Sequence, residues 1–212
     1  MNIVGISFSH AENSLQTRGL YLMQDILPIN TVCDMTNYNI PMCSSNKSDG
    51  VVPQSVDNLI SVMESADVLI FAISEATGHY CAGFKNVMDW LVVKAKFNAR
   101  LGTDYAITDT PIFVVTFTPA KNENVGNRHF AMTVDLLEKL GAKVQKTSVI
   151  PDSWKTVVPG HSAAVKPVCR VISDFLKLYT PNSITTRKKD DTDSLHWLTN
   201  YNEWDMKWKS ID

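Results

Sequence analysis

The sequence holds no apolar run long enough to cross a membrane, no paired-cysteine motif and no marked excess of either charge. Its unbroken apolar stretches, such as Val68 to Ile73, fall far short of the ~20 residues a membrane helix needs. The 4 cysteines (Cys33, Cys43, Cys81 and Cys169) are scattered without CxxC spacing, so buried reduced thiols are expected in place of a metal site or a disulfide framework. A formal net charge of −2 argues against a nucleic-acid or anionic-membrane surface as the main business. The first residues lack a basic segment leading into an apolar stretch and a cleavage site, which predicts no secretory signal and a cytoplasmic protein.

What is present is a chain of 212 residues, 44% hydrophobic and 20% charged, enough for one sizeable domain with a full core and an appendage. Asn2 to Ser7 and Ile29 to Cys33 read as strands, and Leu15, Leu22, Met23, Ile26 and Leu27 mark a helix between them. Tyr38 to Pro53 is a polar loop, and Val56, Leu59, Ile60 and Met63 mark the next helix. Val68 to Ile73 suits a strand buried on both faces. A polar loop, Ser74 to His79, then leads to a helix with Phe84, Val87, Met88, Leu91, Val92 and Ala95 in phase. After a connector from Asn98 to Thr110, Pro111 starts a fourth strand, Ile112 to Phe117, and Lys121 to Asn127 is a polar loop. Phe130, Val134, Leu137 and Leu140 form a helix that Gly141 caps. Lys143 to Val149 alternates as an edge strand should, and Val165, Val168, Ile172, Phe175 and Tyr179 mark the last core helix.

Strands alternating with helices predict a doubly wound parallel sheet. The more polar second and fifth strands belong at its edges, which gives the order 2-1-3-4-5 and a three-layer, flavodoxin-like sandwich. In that order the loops after the first and third strands face one crevice at the switch point. The first of them, Ser7 to Ser14, is rich in hydroxyls and opens a helix, where free N–H groups and the positive dipole end can hold a phosphate. The same loop can also be read as a plain helix cap by Asn13 or Ser14.

These two stretches resemble the NADPH-dependent FMN reductase family, which reads roughly G-I-S-G-S-x-R-x-x-S-x-N in its first loop and P-E-Y-N-G-S-x-P-G-x-L-K-N-x-x-D-W after its third strand. The chain gives G-I-S-F-S-H-A-E-N-S-L-Q and S-E-A-T-G-H-Y-C-A-G-F-K-N-V-M-D-W. The resemblance covers about residues 1 to 180, and Lys85-Asn86 with Asp89-Trp90 is its most specific part. It implies FMN and NADPH as cofactors. It also implies hydride transfer from NAD(P)H to FMN and on to a flavin, quinone or similar small acceptor, in a homodimer or tetramer. By the same resemblance Ser9, His10, Ser14, Leu15 and Gln16 stand where the family holds the FMN phosphate. Glu75, Ala76, Thr77, Gly78 and His79 stand along the isoalloxazine ring, and Thr118 opens the loop that closes its other side. Ala11 replaces the family's phosphate-loop arginine and Ala76 its tyrosine, and Thr116-Phe117-Thr118-Pro119-Ala120 replaces its glycine-rich third loop. Losing one charge-assisted hydrogen bond alone weakens binding roughly ten- to a hundredfold. Two other classes therefore stay open: an FMN electron carrier without its own NAD(P)H reaction, and a binding or scaffold protein of this fold without flavin.

Lys85 and Asp89 at i and i+4 read as a helix-stabilising pair, Trp90 as core or subunit interface, and Cys81 as a small buried residue without a nucleophile's partner. Residues 1–180 form the expected domain, and residues 181–212 a charged linker followed by a helical extension. On a helix, Trp197, Tyr201, Trp204 and Trp208 would form one aromatic stripe, expected to dock on the chain's own body or a sister subunit.

Overall fold

Apolar segments of five to seven residues, each closed off by a polar turn, become the three central strands of a single parallel sheet in the computed structural model, which describes residues 1–44, 52–97 and 105–180. The order is β1 (Ile3–Ser7), α1 (Leu15–Gln24), β2 (Thr31–Asp34), α2 (Gln54–Glu64), β3 (Val68–Ala72), β4 (Glu75–Ala76), β5 (His79–Tyr80) and α3 (Ala82–Phe97). Then come β6 (Pro111–Phe117), α4 (Phe130–Lys139), β7 (Lys143–Ile150), the one-turn α5 (Ser153–Thr156) and α6 (Lys166–Leu178). The main sheet runs β2-β1-β3-β6-β7 with every pair parallel, which is the expected flavodoxin-like order. The expected linker and aromatic helix of residues 181–212 lie outside the described residues, as do parts of the expected loop Tyr38–Pro53 and connector Asn98–Thr110.

Helices cover both faces. Leu59, Ile60 and Met63 of α2, Phe84, Val87 and Met88 of α3 and Leu137 of α4 pack on one side with Val4, Ile6, Leu69, Phe71 and Val114. Leu20 and Met23 of α1 and Cys169 and Ile172 of α6 pack on the other with Ile3, Ile70, Phe113 and Val115. Alternate residues of the central strands thus serve two cores, which is why those strands are apolar throughout.

Three expectations are corrected. Leu15, Leu22, Met23 and Leu27 pack against the sheet as expected, but Leu20 joins them beside Gln16, Thr17 and Gly19, while Ile26 lies beyond the helix and is exposed. Past Gln24 the chain tightens, with the N–H groups of Ile26 and Leu27 both on Met23 O, ahead of Pro28, whose ring cannot continue a helix. The segment Ser74 to His79 is no open loop but a hairpin, with Glu75 opposite Tyr80 and Ala76 opposite His79. Its two central residues, Thr77 and Gly78, have φ of 53° and 82°, the positive values a tight two-residue turn demands. The edge strand β7 does not alternate cleanly, because Gln145 is an extra residue between the pairs Ile112–Val144 and Phe113–Lys146, and such a bulge shifts which face the following side chains take. The cap at Gly141 is as expected: its φ is 77° and its N–H bonds Glu138 O at 2.9 Å.

One glycine marks where α1 touches the sheet. A Cβ on Gly19 would fall 2.2 Å from Cζ of the buried Phe117 ring. Ala is ordinarily the better helix former by about 1 kcal/mol. Here Gly19→Ala is expected to destabilise by about 1–3 kcal/mol through overpacking, as read by chemical denaturation.

Candidate functional site

The carboxyl ends of β1, β3 and β6 bring three loops together, and each loop is tied down by side chains that bond backbone atoms. In the first loop Phe8 turns inward. Its ring meets Phe71 and Phe84 edge-on at centroid distances of 5.0 and 5.1 Å, and its N–H donates to Ala72 O. The loop that follows, Ser9 to Asn13, stands in solvent, with Ser9 half-buried. Ser9 Oγ accepts from Ala11 N at 3.2 Å, and Asn13 takes a left-handed conformation at φ 52°.

Ser14 caps α1: its Oγ accepts from Thr17 N at 3.1 Å. That hydroxyl also belongs to a buried cluster with Ser7 and Thr17 that ends on Asp34 Oδ2, 2.8 Å from Thr17 Oγ1. A carboxylate only accepts, so the Thr17 proton goes to Asp34. Gln16, expected at the phosphate, points elsewhere. Its Nε2 donates to Phe117 O at 2.9 Å and its Oε1 accepts from Phe117 N at 3.0 Å, so the carboxamide pins α1 to the end of β6. Among the described residues the N–H groups of Leu15 and Gln16 have no acceptor in the chain, as at any helix start. These two amides and the Ser9 hydroxyl are what the loop offers an anion.

The second wall is the β4–β5 hairpin. Ala76, Thr77 and His79 are exposed and Gly78 half-buried at its tip, while Cys81 Sγ donates to Phe8 O at 3.1 Å and so joins hairpin and first loop. Glu75 reaches across to the third loop: its Oε2 accepts from Gly126 N at 2.8 Å and Arg128 N at 3.1 Å, and Oε1 lies 3.9 Å from Arg128 Nη1. Thr118, expected to line the ring, is buried within that loop, where its Oγ1 accepts from Ala120 N and its methyl faces Gly126. His10, on the first loop, lies against the start of α3, where a Cβ on Gly83 would come 2.4 Å from its Nε2.

Below these walls lies a residue that the sequence did not single out. His129 is fully buried, with Nε2 2.9 Å from Thr116 Oγ1 and Nδ1 2.8 Å from Thr133 Oγ1. Thr116 spends its proton on Ile73 O, at 2.8 Å. His129 Nε2 therefore donates to Thr116, and Nδ1 accepts from Thr133. Burial lowers its pKa from 6.5 to about 4, against the opposing pull of the Glu75 carboxylate and the Gly126 backbone. Only its place just before an apolar helix sets His129 apart in the sequence, and histidine is common there without any task.

The K-N-x-x-D-W motif divides its labour. Lys85 and Asp89 form the expected i,i+4 pair. Asn86 Nδ2 and Trp90 Nε1 both donate to Pro41 O at 2.9 Å, and Asn86 Oδ1 accepts from Cys43 N at 2.7 Å. The motif thus holds the chain that follows β2 against α3, with Trp90 in the core.

A model of the NADPH-dependent FMN reductase family matches residues 1–153. The chain belongs to that family of FMN-dependent oxidoreductases. No curated protein matches the chain. Among solved structures it is similar to the NADH:FMN oxidoreductase EMOB, at 14% identity and a TM-score of 0.59, with 86% of this chain and 91% of that one covered. It is similar to the NAD(P)H:acceptor oxidoreductase FerB of Paracoccus denitrificans, at 17% identity and a TM-score of 0.55 over 68% and 74% of the two chains. The general stress protein 14 of Treponema denticola, solved in complex with FMN, gives 10% identity and a TM-score of 0.55 over 82% and 99%. At such identities these three similarities show the fold. No helix among the described residues is long and apolar enough to cross a membrane.

Because protonation of His129 is harder in the folded than in the unfolded chain, its neutral form supports the fold above pH 6.5 and that support drains away as pH falls toward 4. The loss comes to about 3 kcal/mol. His129→Asn is expected to be less stable at neutral pH yet to lack this pH-dependent fall; denaturant melts at pH 7 and pH 4.5 compare the two slopes.

Proposed function

We propose that the protein is an FMN-dependent NAD(P)H oxidoreductase that passes electrons to a flavin, quinone or similar small acceptor, with NADPH as a donor. The observation that carries the reading is the convergence, at the switch point between β1 and β3, of a helix-start loop with free amides and two loop walls rich in exposed backbone. Open α/β sheets bind nucleotides in this crevice.

The residues present fit FMN. The Leu15 and Gln16 amides and the Ser9 hydroxyl suit its phosphate, and they do so without the Ser14 and Gln16 side chains, which serve the fold. The hairpin tip at Thr77 and Gly78 suits one side of the ring, since positive φ brings backbone close without a bulky side chain between, and the exposed residues Lys121 to Asn124 of the third loop suit the other. Glu75 holds those two walls at a set separation. Bound FMN supplies the redox chemistry, taking hydride from NAD(P)H and releasing electrons to the acceptor. The protein's part is to orient the ring, hold the phosphate and keep the walls apart. Ala76 leaves the exposed side of the hairpin without an aromatic lid, which favours a small, flat acceptor reaching the ring from there. A homodimer or tetramer in the cytoplasm, with no nucleic-acid partner, completes the proposal.

Purified protein titrated with FMN is expected to quench flavin fluorescence at micromolar concentration, with riboflavin binding more weakly, and then to oxidise NADPH when a quinone is added. A protein that ignores both flavins at high concentration overturns the assignment. One that binds FMN yet leaves NADPH untouched reduces it to an electron carrier.

A further inference from the structure

A phosphate dianion held by amides and a hydroxyl binds more tightly when a cation stands beside it, and the first loop does not supply one of the usual kind. From Ser7 to Thr17 there is no lysine or arginine. The local charge runs the other way. Glu12 stands exposed in the loop, and Asp34, at the end of the neighbouring strand β2, takes the Thr17 hydroxyl at its base. Two carboxylates therefore flank the place where a third negative group is to bind, and like charges at such range oppose it.

Two cationic candidates lie near. His10 is turned toward the first turn of α3, against Gly83. Arg18 sits one turn into α1, yet its side chain folds back up the helix, and Nε donates to Asn13 O at 3.1 Å. That bond holds the guanidinium beside the loop and leaves its two terminal nitrogens uncommitted. Among the described residues Arg18 pairs with no carboxylate. It is exposed, so nothing but the Asn13 carbonyl accounts for its posture.

The geometry points to Arg18 as the residue that binds the FMN phosphate and makes the site prefer FMN over riboflavin. This rests on the flavin reading given above. The left-handed turn at Asn13 is part of the device, because it sets the carbonyl that anchors Nε. Arginine suits the task better than lysine: with one nitrogen spent on the anchor, its planar fork still offers two donors to phosphate oxygens.

The test is direct binding of FMN and of riboflavin to the full-length protein, by fluorescence quenching, for wild type, Arg18→Ala and Arg18→Lys. Riboflavin is the probe without phosphate, so it reports on the ring site and on folding alone. Arg18→Ala is expected to weaken FMN at least tenfold, leave riboflavin within twofold, and flatten the salt dependence of FMN binding. Arg18→Lys is expected to fall between. If wild type prefers FMN and Arg18→Ala keeps that preference, Arg18 is not the phosphate cation and the flavin reading stands. Equal binding of both flavins by wild type also overturns the inference, while leaving a ring site. If wild type binds neither, the flavin reading itself fails.

Discussion

When parallel strands end, their last carbonyls and N–H groups lose the sheet partners that satisfied them, and a buried backbone group without a partner costs about as much as a lost hydrogen bond. This protein meets that constraint with side chains. Gln16 answers both backbone groups of Phe117, Thr116 answers Ile73 O, Cys81 answers Phe8 O, and Glu75 answers the N–H groups of Gly126 and Arg128. Each bond joins segments far apart in the sequence. The carboxyl edge of the sheet is therefore a braced frame, and the crevice is the space between its braces.

That solution decides which polar atoms are left for a ligand. Ser14 and Gln16 look like anion donors in the sequence, yet the first serves as a cap in a hydroxyl cluster and the second as a clamp. What remains is backbone: the amides at the start of α1 and the peptide planes around Thr77 and Gly78. A site built from backbone tolerates side-chain change, since peptide groups stay in place when their side chains are replaced. The alanines at positions 11 and 76 are consistent with such a site.

His129 and Glu75 illustrate two uses of a polar group at this edge of the sheet. Two amides and a guanidinium converge on the Glu75 carboxylate. His129 is held neutral because desolvation outweighs both the nearby carboxylate and the Gly126 backbone. Glu75 ties the hairpin after β3 to the loop after β6, and His129 ties β6 to α4.

The sheet order, the two-sided burial of Val68 to Ala72 and Ile112 to Phe117, the Gly141 cap and the Lys85–Asp89 pair follow from periodicity and local chemistry, so the sequence by itself determined them. The first and third loops were legible as the crevice for the same reason, since strand order places them. Only the tertiary structure decided where long polar side chains reach. Gln16 meets Phe117 across 101 positions, Glu75 meets Gly126 across 51 and Asn86 meets Pro41 across 45. A flexible amide or carboxylate can bond ligand or backbone with equal chemistry, and nothing in its own neighbourhood along the chain says which. The hairpin at Glu75 to Tyr80 was missed because two-residue strands carry too little pattern to read, and the extra residue Gln145 because a bulge is defined only against its partner strand.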